Sequence, residues 1–126
     1  MKNSKVNIAQ SKHDNHYPQP IFSELMYVCR CKREKEIISL LWKYDGVYTH
    51  EISEKYGYLS NNHHQTSQTL NPRIIPLGWV ITKYPDEGER RSWKWHIEQV
   101  TTALSQPIRK DLRRTIERCL EAANDD

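Results

Sequence analysis

The sequence predicts a mainly α-helical protein with a small antiparallel β-hairpin, which is an α+β fold. Apolar residues recur at helical spacing in several stretches between residues 20 and 77 and again between residues 108 and 123. Two β-rich runs, 79–84 and 92–97, flank a loop signal at residues 85–89. The chain has 126 residues, which is long enough for one domain and too short for two ordinary ones.

Three segments of the chain differ in composition. Residues 1–19 are polar and aperiodic, so we expect a disordered tail. Residues 20–100 are expected to form the folded domain, and residues 101–126 an amphipathic C-terminal helix. His13 and His16 could pair on a metal ion, but two ligands make a poor site, so no metal or other cofactor is expected.

Two helices are expected at the start of the domain, at about 20–31 and 33–44, because their apolar residues fall close to one helical face. The charged stretch 30–36 either interrupts this face or continues it, and we favour the interruption. A short helix follows, for which Thr49 is a good N-cap and Gly57 a suitable C-terminal residue.

A polar helix then begins between Ser60 and His63 and reaches Leu77. Core-facing residues recur at three- and four-residue spacing, namely Ser67, Leu70, Ile74 and Leu77. The outward face carries side chains that can read bases, namely Asn61, His64, Gln65, Gln68 and Thr69. Pro72 removes a backbone donor, so either the helix kinks there or Asn71 caps a second short helix.

Alternation in the hairpin places Val80 and Thr82 on one face of the sheet and Ile81 and Lys83 on the other. Three of the four tryptophans, Trp79, Trp93 and Trp95, lie in the same two strands. They could stack on single-stranded nucleic acid, but large aromatics in a small domain more often fill the core. We therefore expect them to pack inside.

The last helix opens near Pro107 and carries an apolar stripe from Ile108 to Ala123. This stripe exceeds what one small domain needs to cover it, so we expect a homodimer through the helix, alone or together with residues 20–31. The alternative is that the helix packs within the chain, against the helix that starts at Pro20.

The charge pattern suits a nucleic-acid partner. No acidic residue lies between Tyr56 and Tyr84, so carboxylates there do not repel phosphate, and the net charge of +3 permits a polyanion. Basic side chains beside the polar helix and in the hairpin are predicted phosphate contacts, namely Arg73, Lys83, Arg90, Arg91 and Lys94.

The order of elements from 37 to 98 resembles the winged helix-turn-helix superfamily, in which a hairpin wing follows a recognition helix. The segments that carry this resemblance are 49–57, 70–79 and the hairpin, including the step Leu77-Gly78-Trp79. It implies a duplex DNA-binding protein, either a transcriptional regulator or a phage or plasmid DNA-handling protein, with the polar helix in the major groove. The alternative is a winged-helix module or small inhibitor that binds protein without DNA.

Other classes of function find little support in the sequence. No glycine-rich phosphate loop, nucleophile elbow or paired-carboxylate signature is present, so we expect no enzyme and no catalytic residue. The three cysteines, Cys29, Cys31 and Cys119, are odd in number and predict free thiols. No apolar run spans a membrane, so we expect a cytoplasmic protein, nucleoid-associated if it binds DNA.

Overall fold

A computed structural model describes residues 19–44, 46–57, 60–86 and 92–124. The expected disordered tail lies outside these residues, except for Gln19, which begins the first helix. Arg90 and Arg91 also lie outside them. The elements in chain order are helices α1 (Gln19–Tyr27) and α2 (Lys32–Lys43), strand β1 (Val47–Tyr48), helices α3 (Thr49–Tyr56) and α4 (Ser60–Ile74), a 3-10 helix (Ile75–Leu77), strands β2 (Trp79–Asp86) and β3 (Ser92–Gln99), and helices α5 (Val100–Leu104) and α6 (Lys110–Asn124).

The fold is α+β, mainly helical, with one three-stranded antiparallel sheet of order β1-β3-β2. The hairpin pairs Ile81 with Ile97 and Lys83 with Trp95, which confirms the predicted alternation of side chains between the two faces. β1 adds the third strand by pairing Val47 with Trp95. β2 is therefore an edge strand, and its outer edge faces away from β3.

The predicted break between the first two helices is confirmed, but α1 ends four residues earlier than the predicted residue 31. The carbonyl of Val28 accepts a hydrogen bond of 2.6 Å from Nη1 of Arg73 in α4. The amide of Arg30 donates to the Glu34 carboxylate at 2.6 Å. One long-range bond and one local bond thus hold the backbone groups of the linker in a non-helical path, and the charged stretch alone could not reveal the long-range one.

The main core lies between α1, α2, α3, α4 and one face of the sheet. It contains the fully buried Leu25, Leu41, Ile52, Leu70 and Trp95 among fourteen residues. Trp79 is also buried, while Trp42 and Trp93 pack half-buried against the cluster. The tryptophans of the hairpin therefore fill the core, as predicted, because a small domain gains most from burying its largest apolar surfaces.

The start of α3 corrects one prediction, since Thr49 is not its N-cap. Tyr48 occupies that position, and its amide donates to the Glu51 carboxylate at 2.9 Å. Thr49 Oγ1 instead accepts a hydrogen bond of 2.7 Å from the indole nitrogen of Trp95. The buried indole needs a partner, and this need overrides the usual capping preference of threonine. Gly57 ends the helix with φ of 83°, as predicted.

Helix α4 continues through Pro72 to Ile74, and the 3-10 helix follows. The idea that Asn71 caps a second helix is wrong, because Asn71 lies inside α4 and its amide grips the outer edge of β2. Its Nδ2 donates to the Ile81 carbonyl at 3.2 Å and its Oδ1 accepts from the Ile81 amide at 2.8 Å. Leu77, expected in the core, is 37% exposed because the 3-10 helix changes the direction of the chain after Ile74.

The C-terminal helix packs within the chain. Ile116 of α6 is fully buried with Ile75, Val80, Val100 and Ala103 in a second cluster, and α6 contacts the 3-10 helix and α4. This is the intramolecular alternative, although the surface that it covers is not α1, which belongs to the first cluster. Arg113 strengthens the junction by donating from Nη2 to the carbonyls of Leu104 and Gln106, both at 3.2 Å.

Candidate nucleic-acid interface

The exposed face of α4 carries three of the five predicted base-reading residues. Gln65, Gln68 and Thr69 are exposed, at the three- and four-residue spacing that puts side chains on one face of a helix. Asn61 lies four residues before Gln65, but its side chain is outside the described part of the chain. The hydroxyl of Thr69 donates to the Thr66 carbonyl at 3.0 Å, so it is free only to accept. Two exposed primary amides therefore dominate this face.

His64 does not share the exposed face, which corrects the prediction. Its ring lies half-buried with its centre 5.1 Å from that of Trp95, and Nδ1 is 3.0 Å from Nζ of Lys83. Burial and the nearby Lys83 charge lower the pKa of His64 to about 4. The imidazole is therefore neutral near pH 7, and Nδ1 accepts a hydrogen bond from the lysine. Consecutive residues of a helix point about 100° apart, so His64 can turn toward the sheet while its neighbour Gln65 stays exposed.

Lys83 is likewise engaged inside the fold. Its Nζ lies 4.7 Å from the ring centre of Trp95, in addition to its contact with His64. Burial, followed by repulsion from Arg109, lowers the pKa of Lys83 to about 8. Lys83 is therefore half-buried within the fold and does not project freely from the surface, and its predicted contact with phosphate stays a prediction. Lys83 pairs with Trp95 across the hairpin. Its ammonium group lies against the aromatic ring, and this cation–π contact favours the charged form.

Arg73 is a clamp between α4 and the N-terminal helices. Its two terminal nitrogens bind the Glu34 carboxylate at 2.9 and 2.5 Å, and the side chains of Arg73 and Glu34 are 18% and 7% exposed. The hydrogen bonds to Glu34 raise the pKa of Arg73. Burial alone would raise the pKa of Glu34, but the bonds from Arg73 and from the Arg30 amide lower it. Most of the donors of Arg73 are therefore engaged within the fold, and its predicted contact with phosphate stays a prediction.

Lys94, one of the predicted wing contacts, does not lie on the same face of the sheet as Lys83. Lys94 lies on the opposite face of the sheet, half-buried, with Nζ 5.7 Å from the ring centre of Tyr48. Arg90 and Arg91 fall outside the described residues, so their predicted role stays a prediction. The Tyr48 hydroxyl donates to Asp86 at 2.5 Å, which ties β1 to the end of β2 beside the loop.

Two cations that the sequence analysis did not single out lie at the start of α6. Arg109 and Lys110 are exposed, and the Arg109 guanidinium lies 5.8 Å from the ring centre of Trp93. Arg109 also lines a cavity together with Gln68 and Lys83. In the sequence both residues belong to the charged side of an amphipathic helix, and only the packing of α6 beside α4 brings Arg109 near Gln68 of the polar helix.

That cavity, of about 300 Å³, lies between α4, β2 and α6. Its polar wall includes Ser67 and Gln68 from α4, and its apolar wall includes Ile81 and Leu112. It adjoins the exposed face of α4, because Gln68 belongs to both. Sequence patterns did not predict this cavity, since its walls come from three separate elements that only the packing of the chain brings together.

Among the described residues, no three histidine, cysteine, aspartate or glutamate side chains lie close enough to hold a metal ion. Within the same part of the chain no helix is both long and apolar enough to cross a membrane. No protein-family model, curated protein or solved structure matches the chain. The physical features of this surface must therefore carry any functional argument.

Proposed function

We propose that the chain is a winged-helix protein that binds duplex DNA, as a transcriptional regulator or a phage or plasmid DNA-handling protein. The observation that carries the proposal is the exposed pair Gln65 and Gln68 on a helix that contains no carboxylate. The order α2, β1, α3, α4, β2, β3 and the sheet order β1-β3-β2 also fit a recognition helix followed by a wing.

In this proposal α4 enters the major groove. A glutamine amide can donate to N7 or accept from N6 of adenine, and Gln65 and Gln68 are close enough to address neighbouring base pairs. Thr69 offers a methyl group that suits thymine, and the predicted role of Asn61 in reading bases stays a prediction. His64 is left out, since its imidazole supports Lys83 instead.

The phosphate contacts are reassigned. In this proposal the exposed Arg109 and Lys110 take over from Arg73, whose guanidinium binds Glu34, and from Lys83, which is half-buried against Trp95 and His64. Arg90, Arg91 and Lys94 stay in the proposal as contacts of the wing. Each such cation releases about one counterion, so replacing Arg109 with alanine should lower the salt dependence of binding by about one unit.

Fluorescence anisotropy on two duplexes tests the reading role, one selected from a random pool and one of random sequence. Gln65→Ala and Gln68→Ala should each cost about 1 to 3 kcal/mol on the selected duplex and much less on the other. Gln106→Ala is the matched control, because Gln106 is exposed in the connection between α5 and α6. Equal losses on both duplexes would show that these glutamines do not read bases.

A second candidate function is a winged-helix module that binds a protein partner without DNA. It is favoured by the engagement of Arg73 and Lys83, which removes two cations from the surface near α4. The two functions differ in salt behaviour. If the wild-type chain fails to bind random duplex even at low salt, the DNA proposal fails and the protein-binding module is favoured.

The proposal also includes a homodimer, but through a smaller part of the apolar stripe of α6 than the sequence suggested. Ile116 is used inside the chain, and Leu112, Cys119 and Leu120 are only half-buried against the second cluster. A two-fold dimer through the rest of this stripe would read a palindromic site. Sedimentation of the intact chain as a monomer at micromolar concentration would contradict it.

A further inference from the structure

The cavity between α4, β2 and α6 combines two features that a small-molecule site requires. Its volume of about 300 Å³ lies at the lower end of the range for sites that enclose small ligands. Its walls are rigid elements, since Asn71 ties α4 to the backbone of Ile81 in β2 by two hydrogen bonds. The space is therefore bounded by packed secondary structure on three sides.

Two cations face this space. Nζ of Lys83 is held between the Trp95 ring, at 4.7 Å from its centre, and Nδ1 of His64, at 3.0 Å. One N–H of the ammonium is directed to His64, which leaves two donors for another partner. Arg109 supplies the second cation, and its Nε lies 3.5 Å from the carboxylate of Asp111.

The charges of the cavity do not balance. Lys83 and Arg109 contribute two positive charges and Asp111 one negative charge, while His64 is neutral near pH 7 because its pKa is lowered to about 4. The nearness of Arg109 also lowers the pKa of Lys83, so the two cations repel each other. A single negative charge placed between them would relieve this repulsion.

The opposite wall is apolar. Ile81 is fully buried from β2, Leu112 is half-buried from the first turn of α6, and the methyl group of Thr115 lies one turn further along. An apolar body of a few carbon atoms would cover Leu112, while the exposed Gln68 provides polar atoms at the rim.

We propose that this cavity binds a small amphipathic monoanion, with its carboxylate group between Lys83 and Arg109 and its apolar body against Leu112. The proposal goes beyond DNA binding and does not depend on it, because the binding is measured on the free chain. A free phosphate ion lacks the apolar body, and a neutral compound lacks the charge, so both are poor ligands for the same cavity.

The test is a titration of the ¹⁵N-labelled full chain, followed by two-dimensional NMR at pH 7, with benzoate, benzyl alcohol and inorganic phosphate as probes. Benzoate should bind with a Kd on the order of 1 mM, as expected for a ligand of this size, and shift the amide signals of Ser67, Lys83 and Leu112. Benzyl alcohol and inorganic phosphate should each bind at least tenfold more weakly.

Two variants locate the anion. Lys83→Met keeps the length and the packing of the side chain and should weaken benzoate binding about tenfold. Arg109→Gln changes an exposed residue that no helix or strand contains, so it should fold normally and should weaken binding about threefold or more. Arg114→Met is the matched control, because Arg114 is exposed on α6 and does not line the cavity, and its affinity should stay within twofold of the wild type.

Clear outcomes would overturn the proposal. Benzyl alcohol as effective as benzoate would show that the charge has no role, and inorganic phosphate as effective would show that the apolar wall has none. Unchanged affinity in Arg109→Gln together with unchanged affinity in a folded Lys83→Met would place the anion elsewhere. If Lys83→Met loses its dispersed NMR spectrum, the result for Arg109→Gln decides by itself.

Discussion

Gln68 and Asn71 lie one turn apart on α4 and both carry a primary amide, but they have opposite surroundings. Gln68 is exposed, whereas Asn71 is 5% exposed and satisfies both backbone groups of Ile81. The buried face of the helix also contains the Arg73 clamp, and its flank contains His64 beside Lys83. One polar helix can therefore hold the fold together through the side chains of one face while the side chains of the other face stay exposed to solvent.

The largest expected effect comes from breaking the clamp. Arg73→Met leaves the Glu34 carboxylate without its bidentate partner at a site where the carboxylate is 7% exposed. We expect the free energy of unfolding to fall by about 3 to 4 kcal/mol, as for other buried pairs that lose one member. Urea unfolding measures it, with Arg114→Met as the control for an exposed arginine. A loss below about 1 kcal/mol would mean that Glu34 finds another partner or water.

The next effect concerns the grip of α4 on the edge of the sheet. Asn71→Ala removes both bonds to Ile81 and leaves a buried amide and carbonyl of the edge strand unpaired. The expected loss is about 2 to 3 kcal/mol. Hydrogen exchange gives an independent measure, because the Ile81 amide should lose protection more than the Ile97 amide. Equal loss at both would indicate global destabilisation rather than release of the edge.

A smaller effect is the pH dependence of stability that we expect from His64, which does not belong to the exposed face of α4. Its pKa is lowered to about 4, below the ordinary value of 6.5, so the unfolded chain binds more protons between these values. The contribution of neutral His64 to the free energy of unfolding is therefore complete above pH 6.5 and is lost as the pH falls toward 4. We expect this loss to be about 1 to 2 kcal/mol after allowance for the partial exposure of the ring. His64→Gln keeps an acceptor for Lys83 and should reduce this pH dependence. An unchanged dependence would assign it to other groups.

The smallest effect is expected on the exposed face itself. Gln68→Ala removes a side chain from a solvent-exposed position of a helix, where alanine has a slightly better helix propensity. The free energy of unfolding should change by less than about 0.5 kcal/mol. The contrast with Asn71→Ala tests the comparison directly, since the two substitutions remove the same chemical group. A loss of 2 kcal/mol at Gln68 would show that this face is structural as well.

The sequence predicted most of the helices, the hairpin and its faces, because these depend on local periodicity. Helical spacing predicted α2, α4 and α6, and alternation predicted which side of the hairpin Trp95 would occupy. The candidate site was predicted less completely. Gln65, Gln68 and Thr69 are exposed as expected, but Arg73 and Lys83, which were expected on the surface, are engaged within the fold. A charge in the sequence does not tell whether an opposite charge or an aromatic ring will meet it.

The sequence by itself determined the α+β class, the carboxylate-free stretch between Tyr56 and Tyr84 and the amphipathic last helix. These follow from residue types and their spacing, which act within one or two turns of chain. Only the tertiary structure decided that Glu34 meets Arg73 and that Lys83 meets His64, across 39 and 19 residues of sequence. It also decided that α6 lies beside α4 and encloses the cavity. Such contacts arise because buried polar groups and apolar faces must find partners wherever the folded chain brings them.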